Sequence, residues 1–338
     1  MNWSCVHGTL YIVTIRDNDA HEAASMYYLQ GETMETIARH LGVSRSSVSR
    51  LLAYARETGL VRITVAAAPG ERGTLAGELN RFFGINSTVV RVRDFDTGVN
   101  RLGNVAKVAA ERLMDMVGAG DTLAIAWGNT TAEVARHLPP VEIPNVTVVQ
   151  LNGAGSSTGA GVRYIDTTIS QAAESFGANM VHFPVPAFFD YAETKQQLWQ
   201  ERSVRYVLDT IEDANIAVFG VGAFDGDMPS HVYSAGYIDP EEIAALRADG
   251  VVGDVCTVLL REDGSYDLPI NERASGPDPQ TLRKIPRRLC VVAGEAKTIP
   301  LIAALRAGLI TDLVVDDRTA RRVLEKIRLS GAGVRSFG

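Results

Sequence analysis

Apolar positions along the chain follow two different periods. Before residue 60 they return every three or four residues, as Ala20, Ala23, Ala24, Tyr27, Tyr28 and Leu29, then Met34, Ile37, Ala38 and Leu41, then Val48, Leu51, Leu52 and Ala55. That spacing predicts three helices: one over residues 18–30, one from Met34 to Leu41, and one that begins after Ser44. Gly31 closes the first. Gly42 stops the second, because glycine tolerates the left-handed backbone that a sharp turn needs. Val43 plugs the space between the second and third helices, and Ser44 can cap the third through its hydroxyl. Residues 60–65 (Leu-Val-Arg-Ile-Thr-Val) alternate as a short β wing would. A stretch with Pro and Gly over 66–73 marks a boundary. A further helix over 74–83 carries the stripe Leu75, Leu79, Phe82 and Phe83. That stripe fits a dimer contact and docking onto its own domain equally well.

Beyond residue 86 short apolar runs alternate with helical stretches. Strands are predicted over 88–92, 122–127, 146–151, 179–183, 216–221, 255–260, 289–293 and 313–315. Helices are predicted over 102–117, 131–137, 164–177, 195–212, 241–248, 297–307 and 318–328. Alternation of this kind implies an α/β fold, a doubly wound and mainly parallel sheet with helices on both faces. The chain thus divides into an N-terminal arm (1–17), a winged helix-turn-helix (18–66), a linker with a helix (67–85) and a large α/β domain (86–338). The arm is mildly apolar but lacks the basic start of a secretory signal.

Charge sharpens the reading of the small domain. The chain of 338 residues carries a formal net charge of −7, yet Ser44 to Arg56 holds three arginines and no acid. In a helix-turn-helix the second of the two paired helices enters the major groove, its first residues on base edges. Thr33, Ser44, Arg45, Ser46, Ser47, Ser49 and Arg50 are the candidate contacts, hydroxyls and guanidiniums suited to phosphates and base edges together. The alternative is a helical hairpin with a solvated polar face. Overall acidity confines nucleic-acid contact to one basic patch. Three widely spaced cysteines, Cys5, Cys256 and Cys290, fit reduced thiols in a cytoplasm and form no metal-spaced pair. No apolar run is long enough for a membrane span.

In doubly wound folds ligands bind beyond the carboxyl ends of the strands. The loops there are rich in Gly, Ser, Thr and Asn. Gly128, Asn129, Thr130 and Thr131 run straight into a helix, a seat for a phosphate or other anion. Asn152, Gly153, Gly155 and Ser156 follow the next strand. Gly222, Phe224 and Asp225 come later, then Asp254, Asn271, Arg273, Gly294 and Lys297. Each could be a plain turn or surface residue, but together they outline a pocket for a small polyol or sugar phosphate. Arg273 and Lys297 would supply positive charge; Asp254 and Asn271 would bind hydroxyls. His21, His40, His137 and His182 call for no more than structural roles.

Motifs across residues 18–330 resemble the SorC family of bacterial transcriptional regulators. They begin with Tyr27-Tyr28, Ile37-Ala38, Leu41-Gly42-Val43-Ser44-Arg45, Val48-Ser49-Arg50-Leu51-Leu52 and Ala55-Arg56-Glu57-Thr58-Gly59. They continue through Trp127-Gly128, Gln150-Leu151-Asn152-Gly153, Gly220-Val221-Gly222 and Gly253-Asp254. Ala293-Gly294-Glu295-Ala296-Lys297 and Asp316-Asp317-Arg318-Thr319-Ala320 complete them. The resemblance implies an effector domain similar in fold to sugar-phosphate isomerases and deaminases, assembly as homodimer or homotetramer, and operator DNA bound under control of a sugar, polyol or sugar phosphate. Position 293 is Ala where the family often has a second Gly, and 129 is Asn where Arg or Thr is common. Asn152 stands where some relatives carry a lysine able to form an imine, so effector binding here should be reversible and non-covalent.

The rival is a sugar-phosphate isomerase or deaminase with an appended head. Its general acid/base would be Asp254, Glu295 or Asp225, none with a companion histidine in an obvious constellation. Gly153-Ala154-Gly155-Ser156-Ser157-Thr158 mimics a dinucleotide fingerprint but lacks its third glycine. No P-loop lysine follows Gly128 and no HExxH motif occurs. No enzyme activity, cofactor or metal is therefore expected.

Overall fold

The structure, a computed structural model, describes residues 15–58, 60–61, 74–154, 160–226, 230–234 and 236–329, with two short strands before them. These are β1 (Cys5–Val6) and β2 (Thr9–Leu10), an antiparallel pair. The chain separates into two compact units, Met1–Ala68 and Pro69–Gly338.

In the first unit α1 (Ile15–Ala24) runs on into a π-helical turn, Ser25–Leu29. Then come α2 (Met34–Leu41) and α3 (Arg45–Glu57). Local chemistry sets these bounds. Thr33 Oγ1 accepts the Thr36 N–H at 3.2 Å, and Ser44 Oγ accepts the Ser47 N–H at 3.1 Å. Each hydroxyl satisfies a donor that has no partner within its helix. Gly42 between them has φ 67°, the left-handed turn its position predicts. Ala20, Ala23, Ile37, Val48, Leu52 and Ala55 are buried together, so the three helices share one small core. Of the expected wing only Leu60 and Val61 are described, and Val61 N–H donates to Ala55 O at 2.9 Å. The rest of the wing and the linker through residue 73 lie outside the described residues.

The second unit opens with α4 (Leu75–Phe83), capped by Thr74, and β3 (Asn86–Val90). There follow α5 (Gly98–Met114), β4 (Thr122–Ile125), α6 (Asn129–Arg136), β5 (Thr147–Gln150), α7 (Ala160–Phe176) and β6 (Asn179–Val181). Next are α8 (Ala192–Leu198), α9 (Arg202–Glu212), β7 (Ile216–Phe219), β8 (Gly222–Ala223), α10 (His231–Ser234), α11 (Pro240–Ala248), β9 (Val251–Val255) and β10 (Val258–Arg261). The last elements are α12 (Pro279–Lys284), β11 (Arg287–Val292), α13 (Thr298–Arg306), β12 (Asp312–Asp316) and α14 (Asp317–Leu329). Seven strands form one sheet in the order β3-β12-β11-β7-β4-β5-β6, with every described pairing parallel. A smaller antiparallel sheet has the order β10-β9-β8.

Helices cover both faces of the large sheet. Along β7, Ile216 and Val218 point into a core with Leu102, Val105 and Ile169, while Ala217 and Phe219 point into another with Val207, Leu301 and Val323. The period of two is that of a strand buried on both sides.

Two predicted elements are divided in the structure. The strand expected over 255–260 is the corner of a hairpin, β9 and β10 turning at Cys256 and Thr257 with φ of 51° and 71°. Neither residue favours that conformation, so local propensity gave no sign of it. The helix expected over 195–212 is broken between α8 and α9. The break lets Trp199 pack against Phe183 and Phe189, with ring centroids 5.7 and 5.5 Å away.

Candidate functional site

Strands β4 and β7 lie side by side in the large sheet. From β4 the chain winds outward to β5 and β6; from β7 it winds the other way to β11 and β12. The connections leaving β4 and β7 therefore diverge, and a crevice opens at their carboxyl ends. A small cavity sits there. Its walls are Trp127–Thr131 after β4, Asn152 after β5, Gly220–Gly222 after β7, Ser230–Val232, Asp254, Cys256 and Thr257 at the hairpin corner, and Lys297 after β11.

The polar groups of this cavity are unevenly satisfied. Gly128, φ 152°, precedes α6 and brings no side chain to cap its first turn. Thr130 and Thr131 are buried there. Lys297 Nζ reaches across from the β11 side and donates to Thr130 Oγ1 at 3.2 Å. An ammonium thus stands at the positive end of a helix, an arrangement unfavourable without negative charge. Burial holds the Lys297 amine below its ordinary pKa, and Asp254 only partly offsets this. The Asp254 carboxyl is itself buried: Oδ2 accepts the Thr257 N–H at 3.2 Å, and Oδ1 forms no hydrogen bond of ordinary geometry, although the Tyr233 and Ser230 hydroxyls stand beside the carboxylate and favour its charged form. Asn152 Oδ1 is buried and unpartnered. Unmet acceptors of this kind cost about 1–3 kcal/mol each unless a ligand or water meets them. His231 Nε2 and Asn129 Oδ1 are 3.0 Å apart on the opposite wall, and burial lowers the His231 pKa.

Glycine is required where backbone and carboxylate meet. A Cβ on Gly222 would lie 1.8 Å from Asp254 Oδ1.

Burial raises the Asp254 pKa to about 6. The folded chain therefore keeps a proton that the unfolded chain releases near pH 4, and stability falls as pH rises through 6. At neutral pH the ionised carboxyl costs about 2–3 kcal/mol by this linkage. Asp254→Asn keeps an acceptor for Thr257 and removes the titration. Its thermal midpoint is expected above wild type at pH 7.5, with the gap closing by pH 4. A gap independent of pH would mean that Asp254 ionises freely in the native chain.

Of the residues singled out from the sequence, Gly128, Asn129, Thr130, Thr131, Asn152, Gly222, Asp254 and Lys297 line this cavity. Others do different work. Gly153 backs the wall, where a Cβ would meet Val185 and Pro186. Asn271 clamps the hairpin, accepting from Leu259 N and donating to Leu259 O and Tyr266 O. Arg273 is paired with Glu242 rather than turned to a ligand. Asp225 holds Arg247 through two 2.8 Å bonds, and Arg247 in turn lies over Phe224. Gly294 and Asp225 border a neighbouring cavity that also touches Lys297. Gly155 and Ser156 lie outside the described residues. Ser230, His231, Cys256 and Thr257 enter the cavity without having been anticipated. The hairpin corner that brings Cys256 and Thr257 in was concealed by their strand-like surroundings, and His231 carried no motif.

In the first unit Ser44, Arg45, Ser46, Ser49 and Arg50 are exposed at the start of α3, and Thr33 is exposed at the start of α2. Ser47 is half-buried, and its hydroxyl lies 2.9 Å from Ser44 Oγ. Arg45 is not free: its Nε is 3.1 Å from Glu35 of α2. Arg50 Nε donates to Ser46 O at 3.3 Å and forms no ion pair among the described residues. Sequence position alone gave no warning of the Glu35 contact, which depends on how α2 and α3 cross.

The family model "Putative sugar-binding domain" matches residues 71–325, and that of "Sigma-70, region 4" matches 22–58. The deoxyribonucleoside regulator of Bacillus subtilis is 30% identical over 307 residues, 90% of this chain and 97% of its own length. The full-length sorbitol operon regulator SorC of Klebsiella pneumoniae superposes with a TM-score of 0.73 at 25% identity, covering 90% of this chain and 97% of that one. A domain of a "possible sugar-binding transcriptional regulator" from Arthrobacter aurescens TC1 is 42% identical, with a TM-score of 0.71 over 77% of this chain and 100% of that one. Among the described residues no helix is long and apolar enough to cross a membrane.

Proposed function

The chain belongs to the SorC family of sugar-binding transcriptional regulators, and from that premise we propose how its two units divide the work. The cavity at the β4–β7 crevice takes a sugar phosphate or phosphorylated polyol. Its anion sits between Lys297 and the first turn of α6, and its hydroxyls meet Asn152 and Asp254. One observation carries this reading: a buried ammonium beside an uncapped helix start, with two unmet acceptors in the same cavity. An anion with hydroxyls answers all of these at once. Thermal-shift screening of sugars, polyols and their phosphates tests it, because a ligand that binds the folded state raises stability by RT ln(1 + [L]/Kd). Phosphorylated compounds should stabilise the chain, and their unphosphorylated parents should do so at much higher concentration. Equal ranking of the two sets would remove the anion from the account.

Binding without turnover is part of the proposal. Aldose–ketose exchange needs a proton moved between neighbouring carbons by a base that can reach both. Asp254 is the one carboxyl among the described residues that lines the cavity; Glu295 is paired with Arg322 at 2.5 Å. Release of product from any sugar phosphate that binds would reverse this part of the reading.

The α2–α3 unit reads operator DNA, α3 lying in the major groove. Arg50, Ser46 and Ser49 contact bases or phosphates, while Arg45 must exchange Glu35 for DNA. Two copies in a homodimer or homotetramer engage half-sites of a near-palindrome in the cytoplasm. Effector binding favours the arrangement whose heads no longer match that spacing, and a preference of about 1–3 kcal/mol shifts operator affinity by roughly 5–150-fold. Arg50→Ala is expected to weaken operator binding by about 1–3 kcal/mol without lowering the thermal midpoint. A gel-shift titration at fixed salt checks it, and unchanged affinity would take Arg50 out of the interface.

A further inference from the structure

A second, larger cavity lies on the other side of the β5 strand end. It holds about 290 Å3, close to the size of ordinary small-molecule sites. Leu151 lines it while its neighbour Asn152 lines the other, so the bend that follows β5 separates the two spaces. The two spaces share no lining residue.

Phe183, Trp199, Leu208, Ile211 and Tyr266 make the apolar half of its wall, and polar side chains make the other half. Most polar groups on the lining are already engaged. Asn271 spends its amide on the hairpin, and Ser275 Oγ donates to Ala187 O and accepts the Gly153 N–H. Asp278 caps α12 by accepting the Thr281 N–H at 2.7 Å. The exposed Glu212 is not so engaged among the described residues, and neither is Lys195. Its Nζ lies 5.4 Å from the centre of the Trp199 ring and forms no ion pair among the described residues. Burial depresses the Lys195 amine, with Asp278 and Glu272 acting against that at longer range. A half-buried ammonium on an aromatic face, without a counter-ion in contact, gains from an anion brought in with an apolar body.

We propose that this cavity is a second ligand site, distinct from the effector cavity, for a small carboxylate with an aromatic or branched apolar body. The carboxylate pairs with Lys195, and the body packs between Trp199, Phe183 and Tyr266. Glu212 and Asp278 stand exposed among the lining residues, where an added ammonium on the ligand would find a partner. The shared chemistry is the carboxylate; the amine separates amino acids from simple organic acids. This site does not rest on the effector reading.

Calorimetric titration of the full chain with phenylacetate, phenylalanine and benzyl alcohol tests it. Phenylacetate or phenylalanine should bind saturably, and whichever is tighter identifies the source. Benzyl alcohol, without the carboxylate, should bind at least about tenfold more weakly. Lys195→Gln should weaken the carboxylate by about tenfold or more, Leu208→Trp should abolish binding by filling the space, and Lys297→Met should leave it unchanged. Absence of saturable binding to either carboxylate at millimolar concentration would overturn the proposal. So would undiminished binding in Lys195→Gln. Loss in Lys297→Met with retention in Lys195→Gln would place the ligand in the effector cavity and equally overturn it. Failure of every sugar phosphate to stabilise the chain would bear on the effector cavity alone.

Discussion

Lys297→Met is expected to abolish the effector response while operator affinity in the absence of effector stays at the wild-type level. The ammonium stands against Thr130 in the first turn of α6, and methionine fills similar volume without charge. Truncating one partner of a buried, hydrogen-bonded charge pair costs about 2–5 kcal/mol in binding, which is roughly 30- to several-thousand-fold in effector affinity. The unliganded chain should not lose stability, because the substitution removes an amine that burial disfavours. Two titrations check this: thermal shift against the best sugar phosphate, and gel shift with and without it. A Lys297→Met protein that still releases operator at the wild-type effector concentration would show that the anion binds elsewhere.

A second large effect is expected at Gly276. A Cβ there would lie 1.7 Å from the carbonyl oxygen of Cys256 and 2.9 Å from its carbonyl carbon. Both atoms belong to the backbone of the hairpin corner, so no rotamer change relieves the overlap. Gly276 N–H also donates to Thr257 Oγ1 at 3.1 Å, and Thr257 N–H holds Asp254. Gly276→Ala should therefore lower unfolding stability by about 3–5 kcal/mol, at the upper end of single substitutions, and disturb the effector cavity too. Gly308→Ala is the control. Its φ is 67° and its nearest neighbour, Arg283 Cδ, is 3.8 Å away, so strain alone should cost about 1–2 kcal/mol. Denaturant titration of the two variants distinguishes them, and equal losses would deny the close approach any special weight.

Much of this architecture was readable from the chain. Helix spacing around Ile37, Val48 and Leu52, with Gly42 and Ser44 between, was enough for the small unit, because each local preference agrees with its tertiary place. Alternating apolar runs and helices were enough for the parallel sheet. The corner at Cys256 and Thr257 was not readable, since the hydrogen bonds that hold it come from Asp254 and Gly276 on either side. The cavity was half legible. Gly128 to Thr131, Asn152, Gly222, Asp254 and Lys297 stand directly after strands, and strand order brings their loops together. Asn271 and Arg273 have the chemistry of ligand-binding residues, but that chemistry is turned to Leu259 and Glu242. Residue type alone does not say which way a side chain faces. The pairing of Arg45 with Glu35 is of the same kind.

Strand order also bears on how the protein is made. β12, near the carboxyl end, lies between β3 and β11, and its five residues pair along the whole of β3. Until residues 312–316 leave the ribosome, the edge of β11 is bare and β3 has no neighbour. The α1–α3 unit, with its own core, can close long before that. A nascent chain therefore carries a finished reading head ahead of a finished sensor, and a message truncated before codon 312 would yield a head without its control.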